Sequence, residues 1–468
     1  MSTPRMKKIV LWLVALVVLA GVVAFAMIWR PAIDPVEPAS RPQVSDATLL
    51  RGGELAAAGM CVVCHTASDG PRNAGGHAMD TPFGTIYSTN ITPDPETGIG
   101  TWSLEAFDRA MRSGIDREGK HLYPAFPYTA FTHMSRDDME ALYAYLMAQP
   151  PVSYEPPKTE LPFPFNVRGM MAGWNLLFLD KGGIDFDPDA SEEWNRGKYM
   201  AQALGHCSAC HSPRNALGAE KKGLDYFGGG EAEGWHAPAL NDESRAPVAW
   251  TPDALYAYLR HGYSEMHGPA GASMAPVVRE GTAKISDADT RALAIYVASY
   301  MNQGDPNMRK ITGADINVDA DRAIGKGADV PARAPSATDA SSSEAEDAAP
   351  LRARAMETLY PPQSEGASLF KGACLACHDG GAKAPLFGTQ PPLWLNTNLY
   401  TDTPDNLIRF VLDGVQSPAF PANGYMPAFK DSFDNRQIAA LVQYMRTDMA
   451  QMPPWNDLEA SIQSMRAK

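Results

Sequence analysis

The six cysteines of this 468-residue chain fall as three pairs with one internal spacing: Cys61-Val62-Val63-Cys64-His65, Cys207-Ser208-Ala209-Cys210-His211 and Cys374-Leu375-Ala376-Cys377-His378. Thiols at i and i+3 share one helical turn. From there both can reach the two vinyl groups of a haem and close thioethers, and the adjoining histidine meets the iron. A zinc reading needs four ligands per site and would have to combine pairs 146 or 167 residues apart. A disulfide reading leaves the histidine at every fifth position unexplained. The motif therefore predicts three covalently bound haem c groups, on Cys61 and Cys64, Cys207 and Cys210, and Cys374 and Cys377, with His65, His211 and His378 as axial ligands.

The second axial ligands are expected in the loop before the last helix of each unit. Counted back from a tyrosine in that helix, Met274 lies 22 residues before Tyr296 and Met426 lies 18 before Tyr444. Methionine there raises the reduction potential and suits electron transfer, although with 22 methionines in the chain core packing is the ordinary alternative. The first unit breaks the pattern: 19 residues before Tyr145 stands Phe126, which cannot bind iron. Met134, His133 and His121 are three equal candidates, with an open iron as the fourth. An open first haem is the one feature that would suit a catalytic haem protein such as a peroxidase.

Positioning these groups requires helices, and the boundary signals repeat. Trp102-Ser103 opens a helix ending at Gly114, Trp250-Thr251-Pro252 one ending at Gly262, and Thr403-Pro404 one ending at Gly414. A last helix is predicted over Ser135 to Leu146, Ser286 to Tyr300 and Ser432 to Met445. Gly and Pro number 39 each, which predicts short helices separated by much loop.

Acidic residues outnumber basic ones 54 to 40, for a net charge of −14, which argues against a nucleic-acid partner. Arg5, Lys7 and Lys8 precede 21 uncharged residues from Ile9 to Trp29, enough to span a bilayer with the positive end in the cytoplasm. A cleaved signal peptide is the alternative, but its A-x-A pattern at Ala24 to Ala26 falls inside the apolar run. Four prolines between Pro31 and Pro42 suggest a stiff spacer holding the first unit off the membrane. Asp305 to Ala355, dominated by Ala, Asp, Ser and Pro, reads as a connector. Tyr154 to Trp194 is too aromatic for a free linker and is expected to pack or to mark an interface.

Asn90-Ile91-Thr92-Pro93-Asp94, Thr97-Gly98-Ile99-Gly100, Tyr123 to Tyr128, Phe163-Pro164-Phe165-Asn166 and Cys207 through Asn215 resemble the three-haem cytochrome c subunits of membrane-bound periplasmic dehydrogenases. The resemblance runs from about Arg51 to Leu458. It implies a mainly α protein, one N-terminal transmembrane helix followed by three class I-like cytochrome c domains. The organisation expected is an anchor over 1–30, a spacer over 31–44, domains over 45–153, 190–303 and 357–455, a packed segment over 154–189, a linker over 304–356 and a tail over 456–468. The resemblance also implies a single pass through the inner membrane with the bulk of the chain periplasmic. As implied partners it adds a catalytic dehydrogenase subunit, with an iron–sulfur small subunit as a further component, and ubiquinone as acceptor. Phe126, His121 and His267-Gly268 look most like cytochromes paired with molybdenum hydroxylases that oxidise aldehydes or N-heterocycles such as nicotinate. Cytochromes of quinoprotein alcohol or flavoprotein gluconate and sugar dehydrogenases are the nearest alternative.

Overall fold

The computed structural model describes residues 4–37, 44–305, 307–316, 364–378, 393–416 and 418–467. These form two compact units, Met1–Asp185 with Gln202–His206, and Phe186–Ala201 with Cys207–Lys468. Helices dominate both, and the only sheets among the described residues are two-stranded.

Helix α1 (Pro4–Ile28) contains an 18-residue stretch, Leu11–Ile28, long and apolar enough to cross a membrane and with none of it buried in protein. The segment after it lies along the surface of the first unit. The Ile33 and Val36 amides donate to Arg117 O and Thr101 O, both at 2.9 Å, and Arg109 Nη1 donates to Pro31 O at 2.7 Å. The non-proline residues keep their N–H groups, and these bind the extended strand to the domain surface.

The first unit continues with α2 (Asp46–Ala58), α3 (Cys61–Cys64), the antiparallel hairpin β1 (Ala78–Thr81) and β2 (Gly84–Tyr87), α4 (Leu104–Ser113), α5 (Tyr128–Phe131), α6 (Arg136–Met147) and α7 (Met170–Phe178). The second unit holds α8 (Glu192–Tyr199), α9 (Ser208–His211), the hairpin β3 (Gly230–Ala232) and β4 (Trp235–Ala237), and α10 (Pro252–His261). There follow β5 (Tyr263–Ser264) with β6 (Gly268–Pro269), α11 (Met274–Pro276) and α12 (Asp287–Met301). Then come α13 (Glu365–Ala373), α14 (Leu375–His378), α15 (Asp405–Asp413), α16 (Asn435–Tyr444) and α17 (Leu458–Arg466).

One helix crossing recurs three times. At α2/α6 a Cβ on Gly52 would lie 2.1 Å from Ala141 O; at α8/α12 one on Gly197 would lie 2.0 Å from Ala292 O; at α13/α16 one on Gly366 would lie 2.2 Å from Ala440 O. Only glycine lets the backbones approach so closely. Beside each glycine an ion pair ties the same two helices. Arg51 Nε meets Asp138 Oδ1 at 3.0 Å and Arg196 Nε meets Asp289 Oδ1 at 2.6 Å, whereas in the third crossing the charges are exchanged and Arg436 reaches back to Glu365. The distance from this glycine to the first cysteine of the motif is nine, ten and eight residues. A π turn at Met200–Leu204, absent from α2 and α13, absorbs the extra residue in the second case.

The helix ends match the boundary signals at Ser103, Gly114, Thr251, Gly262, Ser135 and Ser286. Two starts differ. The cap of α15 is Pro404 rather than Thr403, and α16 is capped by Asp434 rather than Ser432, because Asp434 and Gln437 close a reciprocal capping box. The expected C-terminal tail is instead a helix, α17, that buries Leu458 and Ile462 in the core containing Phe370, Ile408 and Leu441. Of the expected connector, residues 307–316 pack on α8 and α12: Ser191 N–H donates to Arg309 O at 2.9 Å, and Met308 and Ile316 are buried. The remainder to Ala355 lies outside the described residues.

Candidate functional site

Each CxxCH sits in a single helical turn closed by the histidine amide on the first cysteine carbonyl, His211 on Cys207 O at 3.0 Å and His378 on Cys374 O at 2.9 Å. Met60, in the left-handed region at φ 52°, starts α3, and the His65 amide closes the turn on Cys61 O at 2.8 Å. The His65 carbonyl accepts from Gly75 N at 2.8 Å, just as the His211 carbonyl accepts from Gly229 N at 2.9 Å. After each of these glycines comes a hairpin, β1–β2 or β3–β4. A residue one or two places past the hairpin then supplies a backbone acceptor to the imidazole: Thr89 O lies 2.6 Å from His65 Nδ1, and Pro238 O lies 2.7 Å from His211 Nδ1. A carbonyl can only accept, so Nδ1 carries the proton and Nε2 is left as the donor atom for a metal. Burial pushes both imidazoles below the ordinary histidine value, which favours the neutral, ligating form. His378 Nδ1 is buried with no partner among the described residues, and residues 379–392 that follow it lie outside them.

The six sulfurs form no disulfide. Burial pushes the Cys61 and Cys207 thiols up to about 12 and that of Cys374 up to about 11. Among the described residues no three His, Cys, Asp or Glu side chains converge to hold an ion. A pair of thiols on one turn, next to an imidazole fixed through Nδ1 at His65 and His211, fits a covalently attached haem.

A further spacing recurs three times along the chain, one not used in counting back from the tyrosines. The twelfth residue after the helix-ending glycine, Gly114, Gly262 or Gly414, is Phe126, Met274 or Met426. The residue following each glycine makes an antiparallel pair with the ensuing loop: Ile115 with His121, Tyr263 with Pro269, and Val415 with Met426. Met274 opens α11 and packs on the cluster of Ala270, Ala275, Val278 and Ala419. Met426 is half-buried.

Phe126 occupies the equivalent place in the first unit, its ring 5.6 Å from that of Phe131. The three alternative ligands have different surroundings. His121 is buried and its Nε2 lies 3.0 Å from Ile28 O at the end of α1. His133 Nδ1 lies 2.6 Å from Gly182 O. Met134 is buried, held by its amide on Phe131 O at 3.1 Å, and stands directly before the Ser135 cap. Sequence reasoning missed the Thr89 and Pro238 acceptors, because a backbone carbonyl leaves no mark in composition. The glycine pairs Gly75-Gly76 and Gly229-Gly230 ahead of each hairpin were the available sign.

Helical turns bearing CxxCH, with His65 and His211 each oriented by a carbonyl, define a c-type cytochrome, and comparison with known proteins agrees. Residues 49–150 match the cytochrome c family model, and residues 361–445 match that of the cbb3-type cytochrome c oxidase subunit III. A nicotinate dehydrogenase subunit of Pseudomonas putida is 47% identical over 448 residues, covering 96% of this chain and 34% of that protein. The chain thus spans about a third of that relative's length. The fructose dehydrogenase cytochrome subunit of Gluconobacter japonicus is 33% identical, covering 88% of this chain and 81% of its own. The cytochrome c subunit of the quinone alcohol dehydrogenase of Gluconacetobacter polyoxogenes is 32% identical, covering 92% and 86%. The chain belongs to the family of cytochrome c electron-transfer subunits of dehydrogenase complexes, and it binds haem c covalently.

Proposed function

We propose that this chain is a three-haem relay, anchored in the inner membrane by α1 with its bulk in the periplasm, that carries electrons from a catalytic dehydrogenase subunit to ubiquinone. Each bound haem c supplies a one-electron carrier. The chain's own residues bury it, attach it through Cys61 and Cys64, Cys207 and Cys210, or Cys374 and Cys377, and hold it through His65, His211 or His378. The recurrence of the glycine crossing ahead of each CxxCH supports three cytochrome c domains and three haems. Met274 and Met426 are the opposite ligands of the second and third. For the first, Met134 is favoured over His121 and His133. All three are within the same unit; a carbonyl on one ring nitrogen of His121 or His133 leaves the other nitrogen able to ligate, so the preference rests on the burial of the Met134 thioether and on the methionines in the matching role at Met274 and Met426.

The catalytic partner we infer is a molybdenum hydroxylase acting on an N-heterocycle or aldehyde, with an iron–sulfur subunit. The observation that carries this choice is the 47% identity to the nicotinate dehydrogenase subunit, against 33% and 32% for the sugar and alcohol relatives. The test is to purify the tagged chain from membranes in mild detergent, measure haem per chain by mass, identify co-purifying subunits and assay ubiquinone reduction with nicotinate, aldehydes and alcohols. Three haem additions and a molybdenum-containing partner are expected. Two additions, or a quinoprotein or flavoprotein partner, would overturn the corresponding part.

Phe126 favours one second reading, an open first iron with peroxidase chemistry. Carbon monoxide separates the two. The relay with Met134 bound predicts inert spectra in the native chain and carbon monoxide binding to one haem in M134A, whereas an open site binds it already in the native chain.

A further inference from the structure

Helix α7 is turned the wrong way for a helix facing water. Its one polar side chain, Asn175, points inward, where Oδ1 accepts from the Tyr128 hydroxyl at 2.7 Å and Nδ2 donates to Ser113 O at 3.2 Å. Ala172 is buried on the same side. The outer face is Met170, Gly173, Leu176 and Leu177, at helical spacing and all exposed, with Leu176 at 73% and Leu177 at 69%. The preceding loop extends the patch through Phe163, 81% exposed, and through Phe165 and Val167. A contiguous apolar surface of this kind on a water-facing protein marks an interaction site.

What covers it is indicated by its neighbour. The start of α7 lies against the last residue of α1: a Cβ on Gly169 would sit 3.1 Å from Ile28 Cγ2. His121 Nε2–H holds the Ile28 carbonyl, and Arg168 Nη1 donates to His121 O at 3.0 Å, so the end of α1 and the start of α7 are fixed to one loop. The outer face of α7 is therefore continuous with the apolar surface of α1 at the level where that helix ends. Trp29 lies at this level, and Arg168 and Lys181 flank α7, the residue types that collect at the lipid head groups.

We propose that the outer face of α7, together with Phe163, Phe165 and Val167, is seated in the head-group and upper acyl layer of the bilayer, so that the first unit rests on the membrane surface by a second, non-spanning contact. The proposal rests on the reading of α1 as a membrane span.

The haem-loaded full chain, reconstituted in phosphatidylcholine vesicles containing a lipid with a diazirine on its acyl chain, is irradiated, digested and mapped by mass spectrometry. Adducts are expected on peptides covering residues 163–178 as well as 11–28. In L176E/L177E, whose changes fall at exposed positions, those on 163–178 are expected to be lost while those on 11–28 persist. Adducts confined to 11–28 would overturn the proposal and leave the α1 reading standing; adducts on neither would overturn both. The same experiment on the complex with its catalytic partner keeps the adducts on 163–178 if lipid is the occupant. Their disappearance there would assign this face to the partner protein and overturn the proposal.

Discussion

Asn406 clasps the peptide unit of His236 from both sides: its Oδ1 accepts the His236 N–H at 3.0 Å and its Nδ2 donates to His236 O at 2.8 Å. The two residues are 170 positions apart, on the outer edge of β4 and the first turn of α15. The pair completes a strand edge that would otherwise present open donors and acceptors. Around it Trp235 packs on Phe410 at 4.9 Å and His236 Nε2 lies 3.1 Å from Asp405 Oδ2. Asn406→Ala removes both bonds and is expected to cost about 1–3 kcal/mol. Asn406→Asp keeps an acceptor, loses the donor and should fall between. Hydrogen exchange at the His236 amide is the direct readout, and unchanged protection in the alanine variant would show that the clasp does not hold the strand.

The His65 acceptor offers a cleaner handle on the first haem than the histidine itself. Gly75 has φ +82°, and a Cβ there would lie 2.5 Å from the Thr89 carbonyl carbon and 2.7 Å from its oxygen. Gly75→Ala must therefore push Thr89 O away from His65 Nδ1 and weaken the bond that fixes the imidazole. One of the haem reduction potentials is expected to move while the others stay, measured by spectroelectrochemistry on the intact chain. Equal shifts in all, or none, would mean that the Thr89 carbonyl does not tune this site.

The attachment motif was legible because its chemistry demands fixed residue types at fixed spacing, and the helix ends at Gly114 and Gly262 because caps are local. What escaped the sequence depends on backbone. The Thr89 and Pro238 carbonyls act regardless of side chain. The turn to a packed C-terminal helix at Leu458 depended on a core contributed by α15 and α16. The proline count at 31–37 carries no sign of where that segment lies, since the intervening amides of Ile33 and Val36 decide it. Counting back from Tyr145, Tyr296 and Tyr444 gave three unequal spacings, because the stretch between Phe126, Met274 or Met426 and the last helix varies in length. Counting forward from the helix-ending glycines gives twelve in each.

His267 gives the second unit a pH dependence of definite sign. Its ring stacks on Trp250 at 3.6 Å, with Nε2 3.2 Å from Val248 O and Nδ1 3.0 Å from Ser264 Oγ, an arrangement that satisfies the neutral tautomer. Desolvation lowers it to about 4. Between that value and the unfolded value near 6.5 the unfolded chain takes up a proton that the folded chain does not, so stability falls as the pH drops through this window and levels off below it. The loss is about 3 kcal/mol at most. Glu265, pushed up by burial, acts in the opposite sense. The informative quantity is therefore the difference between native protein and His267→Gln, which should grow from pH 4 to 6.5 in denaturant titrations. A constant difference would contradict a neutral buried imidazole.

The helix crossing at Gly366 predicts two alanine substitutions of opposite sign within one helix. A Cβ on Gly366 would stand 2.2 Å from Ala440 O and 2.6 Å from Tyr444 Cβ, atoms of a helix backbone that cannot yield without separating α13 from α16. That separation would also part Arg436 from Glu365 and disturb the packing of Phe370 on Tyr444, 5.8 Å apart. Gly366→Ala is therefore expected to cost at least the roughly 1–3 kcal/mol typical of overpacking. Gly372 lies six residues on in the same helix with nothing within 4 Å, so Gly372→Ala adds helix propensity and restricts the unfolded chain, a gain of about 0.4–1 kcal/mol. Thermal unfolding followed by haem absorbance should move down for the first and up for the second. Gly197→Ala, with its Cβ 2.0 Å from Ala292 O, should reproduce the loss at the other crossing of this unit. If Gly366→Ala and Gly372→Ala shifted the transition alike, close approach at the crossing would not be what requires glycine there.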